Sequence, residues 1–166
     1  MEEYLTPATQ AASSNIFVTA IVNVNDRIKE KYLTNFKILY KYIPNIILFV
    51  DEDYDNLFSQ DNELKDIKRI VYIPEIYTEL ITRTSLPKTD NPEKDNVKFL
   101  ALMNCKIDYI AKALSSNLGA KYCTWIDAGI SYILKNREES FETLLNFLPK
   151  GDKIIAPGCV GMKSVL

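Results

Sequence analysis

Asn15-Ile16-Phe17-Val18-Thr19-Ala20-Ile21-Val22-Asn23-Val24 is apolar and β-branched on both of its faces. A segment of that kind is a strand buried on two sides, as in a parallel sheet covered by helices. Asn25 and Asp26 then supply a turn or helix cap, and from Arg27 the apolar positions Ile28, Tyr32, Phe36, Leu39 and Ile43 recur at helical steps up to Pro44. The alternation continues. Strands are expected at 46–50, 69–73, 121–127 and 153–156, and helices at 55–67, 75–82, 92–118 and 137–148. The helix over 92–118 starts behind an Asn91 cap with Pro92 in its first turn and ends near Gly119. Its buried side is expected to carry Val97, Leu100, Met103, Ile107, Ile110, Ala111 and Leu114. Buried strands alternating with helices predict an α/β, Rossmann-like fold with a mostly parallel sheet and helices on both faces. Residues 1–14 read as a loose lead-in, and 15–166 as one domain.

The chain has 166 residues, 47% of them apolar, with a net charge of −2. A near-neutral chain lacks the basic face that a nucleic-acid backbone demands, so nucleic acid is not an expected partner. No apolar run is long enough to span a bilayer, and the acidic start of the chain is unlike a secretory leader. Three scattered cysteines, Cys105, Cys123 and Cys159, read as reduced thiols of a cytoplasmic protein. The chain has no histidine, so no Ser-His-Asp or Cys-His arrangement exists and acid–base chemistry falls to Asp, Glu, Lys, Tyr or Cys.

Ligands of α/β domains gather at the carboxyl ends of the strands. Polar groups stand at three of those ends: Asn23 and Asn25, Asp51 and Asp53, and Asp127. Asp127 closes Lys121-Tyr122-Cys123-Thr124-Trp125-Ile126 and precedes Ala128-Gly129. A carboxylate held there suits a divalent metal and the phosphates that accompany it. Asp51 reads either as a solvated turn residue or as an acceptor for a ribose or base. Lys106 reads either as one solvated helix lysine among several or as the cation facing those phosphates. Trp125 reads as a core residue. Neither G-x-G-x-x-G nor a Walker loop is present, which argues against NAD, FAD or a P-loop nucleotide.

The ordered set Ile16–Asn23, Arg27, Tyr32-Leu33, Ile46–Asp51, Asn104-Cys105-Lys106-Ile107-Asp108 and Trp125-Ile126-Asp127-Ala128-Gly129 resembles the bacterial HtrL/YibB-type proteins, a glycosyltransferase-like family with a GT-A-like fold. The resemblance spans 15–133. It implies a nucleotide-sugar donor, Mn²⁺ or Mg²⁺ as cofactor, and a glycan or protein acceptor. It implies that Asp127 matches the first acid of a D-x-D-like metal motif, while Gly129 stands where the second acid belongs. Lys106 would face the diphosphate, and Thr19, Ala20 and Ile21 would line the nucleoside pocket, with Asn23 and Asp51 at its edge. The family pattern continues further past the metal motif than this sequence does, so the acceptor half is expected to be incomplete. Three readings result: a metal-dependent glycosyltransferase, an inactive nucleotide-sugar-binding or protein-interaction domain derived from one, and a generic α/β interaction domain. No general base is assigned.

Overall fold

A computed structural model describes residues 15–24, 29–83, 85–86, 95–116 and 121–146. The expected strand at 153–156, the lead-in at 1–14, the Asn25-Asp26 turn, the Asn91-Pro92 cap and Gly119 lie outside those residues.

Strand β1 (Asn15–Ile21) leads into helix α1 (Lys29–Tyr42), strand β2 (Ile47–Val50), helix α2 (Glu52–Gln60), strand β3 (Arg69–Val71) and helix α3 (Glu75–Arg83). Helices α4 (Val97–Asn104) and α5 (Lys106–Ser115), strand β4 (Tyr122–Trp125), a 3₁₀ turn (Ile130–Tyr132) and helix α6 (Arg137–Asn146) complete the order. The four strands form one sheet in the order β3-β2-β1-β4, with every pairing parallel. The α/β, Rossmann-like reading holds.

Because side chains alternate along a strand, β1 feeds two cores. Phe17 and Ile21 join Leu48 and Val50 beneath Phe36 and Leu39 of α1, Tyr54 and Phe58 of α2, and Phe141 of α6. Val18 and Val22 join Phe49 on the other face, beneath Tyr77 of α3, Ala101 of α4, and Tyr109 and Ala113 of α5. Aromatic rings tie this second face together. The ring centroid of Phe49 lies 5.7 Å from that of Tyr72 and 5.2 Å from that of Tyr109, and the Tyr109 centroid lies 6.0 Å from that of Trp125.

The helix expected over 92–118 is two helices. Asn96 caps the first, its side chain accepting from the Lys98 and Phe99 amides, and the chain breaks at Cys105 before the second begins. The buried face also differs from the expected one. Ala101, Cys105, Tyr109 and Ala113 meet the sheet, whereas Met103, Ile107 and Leu114 are exposed. Three small residues at four-residue steps, Ala101, Cys105 and Ala113, let the helix pair approach the strands, and Tyr109 fills the space between them against Phe49 and Trp125. The helix expected at 55–67 starts earlier and is shorter. Asp51 starts α2 early by accepting from the Tyr54 amide, Tyr54 and Phe58 are buried, and the residues from Asp61 onward form turns. No helix among the described residues is long and apolar enough to cross a membrane.

Burial pushes the thiols of Cys105 and Cys123 up to about 11 and the Tyr77 hydroxyl up to about 12. Raised acids of this kind lend stability that is complete below their unfolded values and is lost as pH climbs through the folded ones. An ordinary thiol titrates near 9.0, so the loss falls from about pH 9 upward. Denaturant melts at pH 8 and at pH 10.5 should show a clear fall in stability. The Cys105→Ala/Cys123→Ala protein should show a shallower fall, and an equal slope would contradict this account.

Candidate functional site

In a doubly wound sheet the binding crevice opens where the chain reverses its direction of building. Here the strands are added from β1 to β2 to β3, and the chain then crosses to the far side of β1 to lay down β4. The switch point therefore lies between β1 and β4. Register widens it. Trp125 is the last residue of β4 in register, opposite Val18, and the Ile126 amide still donates to the Val18 carbonyl at 2.9 Å, while β1 continues to Ile21 alongside β2.

Asp127 emerges there with 54% of its side chain exposed. Helix α5 runs back against β1 and β4, so its first residue, Lys106, stands at the same end of the sheet. The Lys106 ammonium donates to Asp127 Oδ1 at 2.9 Å. The Trp125 indole N–H donates to the same oxygen at 2.8 Å, and the Lys106 ammonium lies 5.5 Å from the indole ring centroid. Asp127 Oδ2 accepts no hydrogen bond among the described residues. Two residues singled out by sequence thus meet directly. A third, Trp125, reads from sequence only as core. The signal that could reveal it is spacing, because residues 125 and 127 share one face of an extended chain.

The other strand ends have different work. Asp51 Oδ1 accepts from the Tyr54 amide at 2.9 Å, capping α2, and Oδ2 accepts from the Asn23 amide at 2.6 Å, tying the end of β1 to β2. The Asn23 side-chain amide donates to Asp53 at 2.6 Å. Asp51 is thus committed to backbone donors rather than to a free turn. Thr19 is fully buried and Ile21 nearly so, which keeps their side chains out of any open cleft, whereas Ala20 and Asn23 are half-buried.

A cleft of about 470 Å³ beside this knot is lined by Asp51, Glu52, Asp53, Val71, Tyr72 and Ile73. Three carboxylates repel phosphate and favour hydrogen-bond donors such as hydroxyls and ring N–H groups. A second cleft of about 510 Å³ involves Tyr42 and the residues 134–138. Tyr42 closes α1 just before β2 begins, so that cleft belongs to the opposite end of the sheet from Asp127.

No three His, Cys, Asp or Glu side chains gather to hold a metal among the described residues. Asp127 Oδ2 would be the one protein oxygen offered here to a hard divalent cation, whose other ligands would have to be phosphate oxygens and water, as Mg²⁺ accepts. Gly129, two residues on, has a φ of −88°, and a side chain added there would meet nothing within 4 Å.

Comparison of the chain with protein-family models, curated proteins and solved structures returns no match.

The two acids should separate cleanly by mutation. Asp51→Ala removes a cap and a charge-assisted tie, and should cost about 2–4 kcal/mol. Asp127→Ala removes a half-exposed ion pair and the indole hydrogen bond, and should cost about 1–2 kcal/mol. Urea melts of both variants check this, and equal losses would contradict the division of labour.

Proposed function

We propose that this domain binds a nucleotide-sugar and acts as a metal-dependent glycosyltransferase. The ligand would lie across the crevice at the β1–β4 switch point. One observation carries the reading: a lysine and an aspartate placed together at the position where sheets of this architecture bind ligands. Lys106 would meet the diphosphate with the ammonium donors that Asp127 does not use. Asp127 Oδ2 would contribute the single protein carboxylate to Mn²⁺ or Mg²⁺. The ion, when bound, supplies positive charge that offsets the diphosphate. The nucleoside would run across the carboxyl end of β1, past Ala20 and Asn23, toward the acidic cleft by Asp51. Its ring N–H and ribose hydroxyl groups suit that lining.

The chemistry asked of the protein is modest. Departure of a nucleoside diphosphate develops negative charge on its terminal phosphate. A fixed ammonium beside that phosphate stabilises the transition state more than the ground state. The acceptor is a glycan or a protein hydroxyl.

A second reading has its own support. Asp127 is already neutralised by Lys106, and Gly129 stands where a second acid would strengthen a metal site. Those features favour a domain that binds the nucleotide-sugar without turning it over.

UDP and GDP, each with and without Mn²⁺, test the proposal by thermal shift. Free ligand at about 100 times its Kd stabilises by about 2.7 kcal/mol, a rise of about 5–10 °C for a chain of this size. Asp127→Asn should abolish the manganese-dependent part, and Lys106→Met should abolish the whole shift. No shift with any nucleotide would refute the proposal. Release of free sugar from UDP- and GDP-sugars separates the two readings, since complete inactivity in a protein that binds UDP supports the second.

A further inference from the structure

Asp127 lies two residues beyond the end of β4, half-exposed, in a stretch that turns at Ala128 and Gly129. A carboxylate in such a place samples several rotamers unless something holds it. Two donors converge on one of its oxygens, and they differ in kind. The Lys106 ammonium sits at the end of a flexible four-carbon stem. The Trp125 indole is a rigid plate with two side-chain torsions, packed against the ring of Tyr109, which is itself fully buried. Tyr109 is in turn fixed against Phe49 and Tyr72. The rigid partner therefore sets the geometry.

We propose that Trp125 is the positioning residue of this crevice: its indole N–H clamps Asp127 Oδ1, which keeps Lys106 on that shared oxygen and presents Oδ2 to the ligand. The inference takes the crevice as the ligand site of the proposed function. Three contacts close the arrangement: indole to carboxylate at 2.8 Å, ammonium to carboxylate at 2.9 Å, and ammonium to ring at 5.5 Å. Phenylalanine at 125 would retain a ring for Tyr109 and Lys106 to face, and would lack only the donor. The role is therefore separable from packing.

Its test runs on ligand-free protein, so it stands apart from nucleotide binding. The chain contains one tryptophan, and so a single indole N–H signal appears in a proton–nitrogen NMR spectrum. In the wild-type protein that signal should be shifted downfield and exchange slowly with solvent. In Asp127→Ala it should move upfield and exchange faster by about 10-fold or more, the factor a charge-assisted hydrogen bond supplies. The second measurement is acetylation of Lys106 by an amine-directed ester, followed by peptide mass spectrometry. Trp125→Phe should raise the Lys106 rate several-fold and leave Lys98 and Lys112 unchanged. A role in packing alone predicts a lower melting temperature with Lys106 reactivity unaltered, which would overturn the proposal. An indole signal indifferent to Asp127→Ala would overturn it as well. If Trp125→Phe does not fold, the indole comparison decides, because Asp127→Ala alters only an exposed side chain. Failure of UDP to bind would leave both readouts intact and would count against the proposed function instead.

Discussion

Strand β1 must be paired on both edges, and the rest of the molecule depends on that. Its residues Val18–Ile21 are in register with Ile47–Val50 of β2, and Asn15–Val18 with Tyr122–Trp125 of β4. The two partners are offset along it, so β4 leaves the sheet while β1 and β2 continue. That offset leaves the carboxyl end of β1 without a β4 neighbour and places Asp127 beside it. It also explains why β1 is apolar on both faces: each side chain enters one of two cores, and an unmatched polar group there would be costly. Thr19 is the exception, a fully buried hydroxyl that finds no hydrogen-bond partner among the described residues.

Two acidic strand ends, similar in sequence, have become different objects. Asp51 turns both oxygens toward backbone amides and serves the architecture. Asp127 turns one oxygen toward a lysine and an indole and leaves the other without a donor among the described residues. The difference lies in the element that each residue introduces. After Asp51 the chain enters a helix whose first amides need an acceptor. After Asp127 it enters a short turn and a single 3₁₀ turn, which make no such demand on the side chain. The cleft by Asp51 carries unbalanced negative charge from Asp51, Glu52 and Asp53, whereas the charge on Asp127 is paired by Lys106.

Much of the fold is legible in the sequence because strand burial and helix periodicity are local signals. The run 15–21, the α1 face of Phe36, Leu39 and Ile43, and the helix at Glu75–Arg83 all read directly. The helix pair α4–α5 does not. Its aliphatic side chains Met103, Ile107 and Leu114 suggest one buried stripe, while the sheet selects Ala101, Cys105, Tyr109 and Ala113. Packing distance between layers is a tertiary quantity that hydrophobicity along one helix does not encode. The break at Cys105 is hidden for a related reason, since no proline or glycine marks it. At the site, Asp127 and Lys106 are visible as strand-end acid and helix lysine. Their contact across 21 positions is not readable from local pattern. The indole of Trp125 escapes a sequence reading because tryptophan is so often simple core.

The most direct test of the central claim is a crystal structure of the protein grown with UDP and MnCl₂. The account predicts diphosphate density at the carboxyl ends of β1 and β4, within hydrogen-bond reach of the Lys106 ammonium, with the manganese anomalous peak beside Asp127 Oδ2. A nucleotide ordered elsewhere, with the Lys106–Asp127 pair untouched, would contradict it.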